Sequence, residues 1–127
     1  MEDKRPVYLS VNPLKFTFPV AALASIAHRI TGVLLFVAVG YFLYLLQLAL
    51  GSPEGFDQAR SMLSRPLHQL VMFGSLASLA YHLVLGAKHL LLDFHFFDSL
   101  ERSRYATIAS LVIFVVLLIL IAIWIWG

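Results

Sequence analysis

Apolar positions along this chain come in long unbroken blocks, and the charged positions are gathered into the gaps between them. Three stretches contain no Asp, Glu, Lys or Arg: Ile30–Leu50, Leu67–Ala87 and Tyr105–Trp126. Each exceeds the roughly 18 apolar residues that mark a membrane-crossing helix, and about 20 helical residues cover the ~30 Å of hydrocarbon. A helix satisfies its own backbone hydrogen bonds in lipid, which an open strand cannot do. The pattern therefore predicts an all-α membrane protein with three transmembrane helices.

The helices are expected to extend past the uncharged blocks, over approximately 19–50, 62–92 and 104–126, within a single domain over residues 1–127. Pro19 suits a first helical turn, where its missing N–H has no intrahelical acceptor to lose. The second helix is expected to begin near Ser61 or Ser64, with Pro66 also in its first turn. Gly51-Ser52-Pro53-Glu54-Gly55 and Asp93–Arg104 carry turn chemistry and read as the connections.

Composition agrees and narrows the chemistry. The chain is 61% hydrophobic and 13% charged, against about half and about a quarter in a soluble globule. A formal charge of +2 is too small for a nucleic-acid footprint. Cysteine is absent, which removes disulfides, thiolate metal sites, iron–sulfur ligation and covalent c-type haem attachment. Any redox cofactor held by this chain must rely on histidine, methionine or non-covalent contacts.

The basic residues set a direction. Lys4, Arg5, Lys15, Arg29, Lys88, Arg102 and Arg104 fall on one side of the three blocks, and Arg60 and Arg65 on the other. Positive charge stays inside, so the N-terminus is expected in the cytoplasm and the C-terminus outside, with Trp124 and Trp126 as anchors at the outer interface. The small-residue stretch AALAS, residues 21–25, precedes the first apolar run, whereas a signal-peptide cleavage site follows one. Met1–Phe18 is not Arg- and Ser-rich like a transit peptide. The expected setting is a bacterial inner membrane.

Two polar constellations interrupt the apolar blocks. At about 100° per residue, Ser75, Ser78, His82, Gly86, His89 and Asp93 fall in one stripe along the second helix. Small and polar residues also serve simply to pack helices in lipid, which is an equal reading for Ser75, Ser78 and Gly86. His82 is harder to explain that way, because it lies about 16 Å from Asp93 at the helix end. A deep imidazole needs a partner, and haem iron is one that imidazole suits. Gly86, one turn away, would let a flat ligand approach the backbone. His89 points the same way about 10 Å along and cannot bind the opposite side of the same iron. His28 is expected level with His89 and not with His82, so a second axial ligand is expected from another polypeptide. His68 is expected at the outer interface.

On the first helix, Ser25, His28, Arg29 and Gly32 share a face. Arg29 can pair with a haem propionate through its planar fork, and Ser25 can donate to a quinone carbonyl. The plainer alternative is a snorkelling arginine beside a solvated histidine at a helix start.

The segment KRPVYLSVNPLKFTFPVAALASIAHRITGVLLFVAVG, with its S-x-x-H-R-x-[ST]-G pattern, resembles the cytochrome b large anchor subunit of bacterial succinate dehydrogenase (complex II). SPEGFDQA resembles that family's connecting loop, and YHLVLGAKHLLLDF resembles its second pattern, H-x-x-x-G-x-[RK]-H-x-x-x-D. The resemblance covers most of the chain and implies three helices in a haem-binding bundle shared with a small anchor subunit. By position it implies that His82 is an axial ligand of haem b, with the second axial histidine supplied by that small subunit. Ser25 and Arg29 match quinone-site residues, His28 and Arg29 match positions near the haem propionates, and His89 and Asp93 match pattern positions. Lys88 stands where arginine is more usual, and a lysine lacks the bidentate fork.

The function implied is anchoring of the flavoprotein and iron–sulfur subunits, with ubiquinone reduced at a membrane site. The chain alone is not expected to oxidise succinate. The alternatives are the anchor of a fumarate reductase-type complex, whose direction no sequence fixes, and a haem-free assembly protein with structural histidines. A small transporter fits poorly, because three spans have no inverted halves.

Overall fold

The computed structural model describes residues 20–94 and 100–127. Lys4, Arg5 and Lys15, which bear on orientation, and Pro19 at the expected helix start lie outside the described residues. Among the described residues the chain is helical, with α1 over Val20–Gly51, α2 over Pro53–Leu63, α3 over Pro66–Asp93 and α4 over Leu100–Trp126. Three stretches are long and apolar enough to cross a membrane: Ala22–Gly51, Pro66–Asp93 and Glu101–Trp126. The protein is a multi-pass membrane protein.

The short helix α2 corrects the reading of Gly51–Gly55 as a turn. Ser52 is extended (φ −165°, ψ 164°) and its hydroxyl accepts from the Gly55 N–H at 2.9 Å, which caps the first turn. Pro53 follows at the first helical position, Glu54 lies in the first turn and Arg60 in the last, so both charges complement the helix dipole. Serine and proline here both end α1 at Gly51 and start a second helix at Pro53. A Cβ at Gly55 would collide with the Leu48 carbonyl oxygen, so a glycine is what lets α2 fold back onto the end of α1. Helix α3 then begins at Pro66, two residues later than the nearer expected start at Ser64, after an extended Arg65.

The long helices are arranged around α3, which touches α1 on one side and α4 on another, while α1 and α4 do not pack on each other among the described residues. Leu85 is fully buried, with Ala38, Leu45, Ala80, Ser78 and Ser110 nearly so. Small residues at these seams let backbones approach, which matters because lipid tails offer apolar side chains as good an environment as another helix does. Outward positions such as Phe36, Val33 and Leu50 stay exposed to lipid or to other subunits.

Candidate functional site

His28 on α1 and His82 on α3 meet at the antiparallel α1–α3 seam, with rings stacked 3.8 Å apart and inclined by 16°. The two residues bond to each other's backbone. His82 Nδ1 lies 3.1 Å from the His28 carbonyl oxygen, and His28 Nε2 lies 3.2 Å from the His82 carbonyl oxygen. A carbonyl only accepts, so His82 donates from Nδ1 and His28 donates from Nε2. Thr31 completes the knot: its hydroxyl donates to the His28 carbonyl at 2.8 Å and sits 3.1 Å from His82 Nδ1. With its proton on Nδ1, His82 keeps the Nε2 lone pair, which is the state a metal-binding imidazole takes when its other nitrogen is tied to a carbonyl.

The sequence spacing behind this is the same on both helices. His28 is followed four residues later by Gly32, and His82 four residues later by Gly86. Antiparallel packing sets each histidine against the other helix's glycine. A Cβ at Gly86 would come within 3.3 Å of His28 Nε2, and one at Gly32 within 3.2 Å of His82 Cε1. Gly86 thus makes room for an imidazole of this chain, where the sequence alone suggested room for an external flat group.

This geometry corrects the depth assignment of His28. It lies at the level of His82, and His89 is the more distant of the two, edge-on to His28 with ring centroids 5.9 Å apart. The stacking itself bears on whether His28 could face His82 across a bound group. Imidazoles stacked at 3.8 Å leave no space for a porphyrin between them. His28 is therefore not the opposite axial ligand to His82 in this arrangement.

A groove of about 450 Å³ opens beside the pair, lined by His28, His82, Leu83, Gly86, His89 and Leu90 among others. His89 is half-buried at its edge and Asp93 is exposed at the end of α3. Ser25 is half-buried one turn before His28, and Arg29 is exposed beside it. Neither the Ser25 nor the Arg29 side chain has a partner among the described residues. The two sequence constellations, on different helices, thus come together at one end of one seam.

Lys88, next to His89 in sequence, does not line that groove. It is buried, 7% exposed, and its ammonium donates to Thr107 Oγ1 on α4 at 3.0 Å. Thr107 in turn donates to the Ser103 carbonyl, so its oxygen is free to accept. A single point donor meets this need, which accounts for lysine serving where a fork would have no second acceptor. Tyr81, which the sequence did not single out, donates to the Ala24 carbonyl at 3.2 Å and packs edge-on against Phe114, joining α3 to both neighbours. Thr31 was also passed over, although it occupies the hydroxyl position of the first pattern. At the far end of the seam, His68 Nδ1 lies 2.7 Å from the Tyr41 hydroxyl.

Fold and site together define a helical membrane protein with a histidine-lined groove at one helix seam. Residues 1–122 match the succinate dehydrogenase/fumarate reductase transmembrane subunit family. The chain is 35% identical over 130 residues to the succinate dehydrogenase cytochrome b556 subunit of Coxiella burnetii (strain RSA 493 / Nine Mile phase I), covering 99% of this chain and 100% of that one. It is 31% identical over 109 residues to the subunit of the same name from Paracoccus denitrificans, covering 84% of each. The chain belongs to the succinate dehydrogenase/fumarate reductase transmembrane subunit family.

Proposed function

We propose that this chain is the cytochrome b anchor subunit of a succinate:ubiquinone oxidoreductase, forming a single membrane-anchor domain in a bacterial inner membrane with its N-terminus in the cytoplasm. It holds one side of a b-type haem through His82 Nε2, and Ser25 and Arg29 form part of the ubiquinone site. The observation that carries this reading is the 3.1 Å contact of His82 Nδ1 with the His28 carbonyl, which leaves Nε2 outside that hydrogen bond. The donor set fits a haem. One imidazole nitrogen is available, the groove beside it is walled by Leu83, Gly86 and Leu90, and the chain contains no thiolate that would favour another cofactor. Haem, when bound, supplies one-electron transfer.

The residues of this chain then have distinct tasks. Thr31 and the His28 carbonyl hold the His82 ring in orientation. Arg29, charged and exposed at the same end, is placed to bind an anionic group such as a propionate or to polarise a quinone carbonyl. Ser25 supplies a hydroxyl that can donate to that carbonyl, and protons reach it from the cytoplasmic face. A small anchor subunit would supply a further histidine to the haem, and electrons would come from an iron–sulfur subunit fed by a flavoprotein. Both relatives carry succinate dehydrogenase names, which favours this direction over a fumarate reductase.

The test is purification of the intact complex in mild detergent, followed by two activity assays. Flavoprotein, iron–sulfur protein, a second small membrane protein and a b-type chromophore should accompany the chain. Arg29→Leu should lower ubiquinone reduction by about 10-fold or more, the scale of a lost charge-assisted contact, while succinate oxidation with an artificial acceptor persists. Equal loss of both activities, or a complex without a chromophore, would overturn the reading.

A further inference from the structure

At the end of the bundle opposite His89 and Asp93, a second pocket of about 290 Å³ lies where α2, α3 and α4 meet. Its polar lining includes Arg60 from the last turn of α2 and Gln69 from the first turns of α3, and its apolar walls include Leu63, Met72, Trp124 and Ile125. Ser64 also lines it, its hydroxyl donating to the Arg60 carbonyl at 3.2 Å, while Arg60 and Gln69 supply N–H donors. The Trp126 indole N–H lies 3.2 Å from Gln69 Oε1, and because indole nitrogen only donates, the amide oxygen is turned toward Trp126. Gln69 therefore offers its NH₂ to the pocket. Arg60 has no side-chain ion pair or hydrogen bond among the described residues, although Asp57 lies one turn back on the same helix. No carboxylate lines the cavity.

A guanidinium and an amide NH₂ facing the same space call for an anion with several oxygens, and Arg meets phosphate in bidentate fashion. The depth is that of a headgroup. Trp124 is exposed beside Arg60, and indoles settle where headgroups meet hydrocarbon. Leu63, Met72 and Ile125 give the pocket an apolar wall, which suits an acyl chain. We propose that this pocket binds one anionic phospholipid, its phosphate on Arg60 and Gln69 and one chain along Met72 and Ile125, tying α2 to α3 and α4. The assignment is independent of the haem and quinone reading, since it uses none of those residues.

The experiment is native mass spectrometry of the delipidated complex titrated with phosphatidylglycerol, with phosphatidylcholine of the same chains, and with inorganic phosphate. The wild-type complex should take up a phosphatidylglycerol with about 10-fold preference over phosphatidylcholine, on the scale of one charge-assisted hydrogen-bond pair. Arg60→Gln should remove that preference and leave phosphatidylcholine uptake unchanged. Gln69→Glu keeps an oxygen for Trp126 and turns the pocket's donor into a negative charge, so it should also abolish uptake. This second variant tests the site even if Arg60→Gln assembles poorly. Unchanged phosphatidylglycerol binding in both variants would overturn the proposal. So would uptake of inorganic phosphate, dependent on Arg60, without lipid preference.

Discussion

Two of the α3 histidines at the α1–α3 seam, His82 and His68, are held in different ways. His82 is tied through Nδ1 to a backbone carbonyl, with the Thr31 hydroxyl alongside. His68 is tied through Nδ1 to the Tyr41 phenol, with the rings 5.9 Å apart and inclined by 18°. A carbonyl only accepts, so it fixes where the proton of His82 sits. A phenol both donates and accepts, so Tyr41 leaves the tautomer of His68 open. The first arrangement leaves Nε2 outside the backbone hydrogen bond, and the His82 imidazole lines the groove beside it. What separates the two is the group that holds the other ring nitrogen, and under the proposed function that group, more than depth, marks His82 for ligation.

The two ends can be pulled apart by substitution. The largest effect is expected from Gly86→Leu, because the added side chain must displace the His28 ring and open the cross-bonded pair. Overpacking of this kind costs about 2–3 kcal/mol, read as a lower thermal transition of the purified complex. Gly74→Leu, where a Cβ meets nothing within 4 Å in this chain, should cost far less. Thr31→Val comes next. Removing the hydroxyl beside His82 Nδ1 should weaken haem retention by about 10-fold, as is usual for groups that orient a metal ligand, and should shift the midpoint potential. Thr31→Ser should restore both. The smallest effect belongs to the far end: Tyr41→Phe should cost about 0.6 kcal/mol, the average for an interhelical hydrogen bond in a membrane, with the haem spectrum unchanged.

Much of this was legible in the sequence for a simple reason. The bilayer imposes a length and an absence of charge, so α1, α3 and α4 stand out as uncharged blocks, and helical periodicity alone places His82, Gly86 and His89 on one stripe. The patterns around His28 and His82 led to the family that the comparisons then identified. What did not follow was anything set by the rotation and stagger of one helix against another. Depth counted along separate helices put His28 beside His89, whereas packing of the two H-x-x-x-G units against each other brings it onto His82. Lys88 sits among pattern residues in sequence, yet its position about the helix axis turns it to Thr107. Helix α2 was hidden because serine and proline signal a turn and a helix start equally well, and the Ser52 cap decides between them only in three dimensions.

The central claim is that His82, and not the similarly placed His68, provides a haem ligand. The most direct measurement is the dithionite-reduced minus oxidised absorption spectrum of the purified complex, recorded in parallel for His82→Ala and His68→Ala. The account predicts a b-type band of wild-type height and position in His68→Ala, and its loss or strong displacement in His82→Ala. A wild-type band in the assembled His82→Ala complex would contradict it.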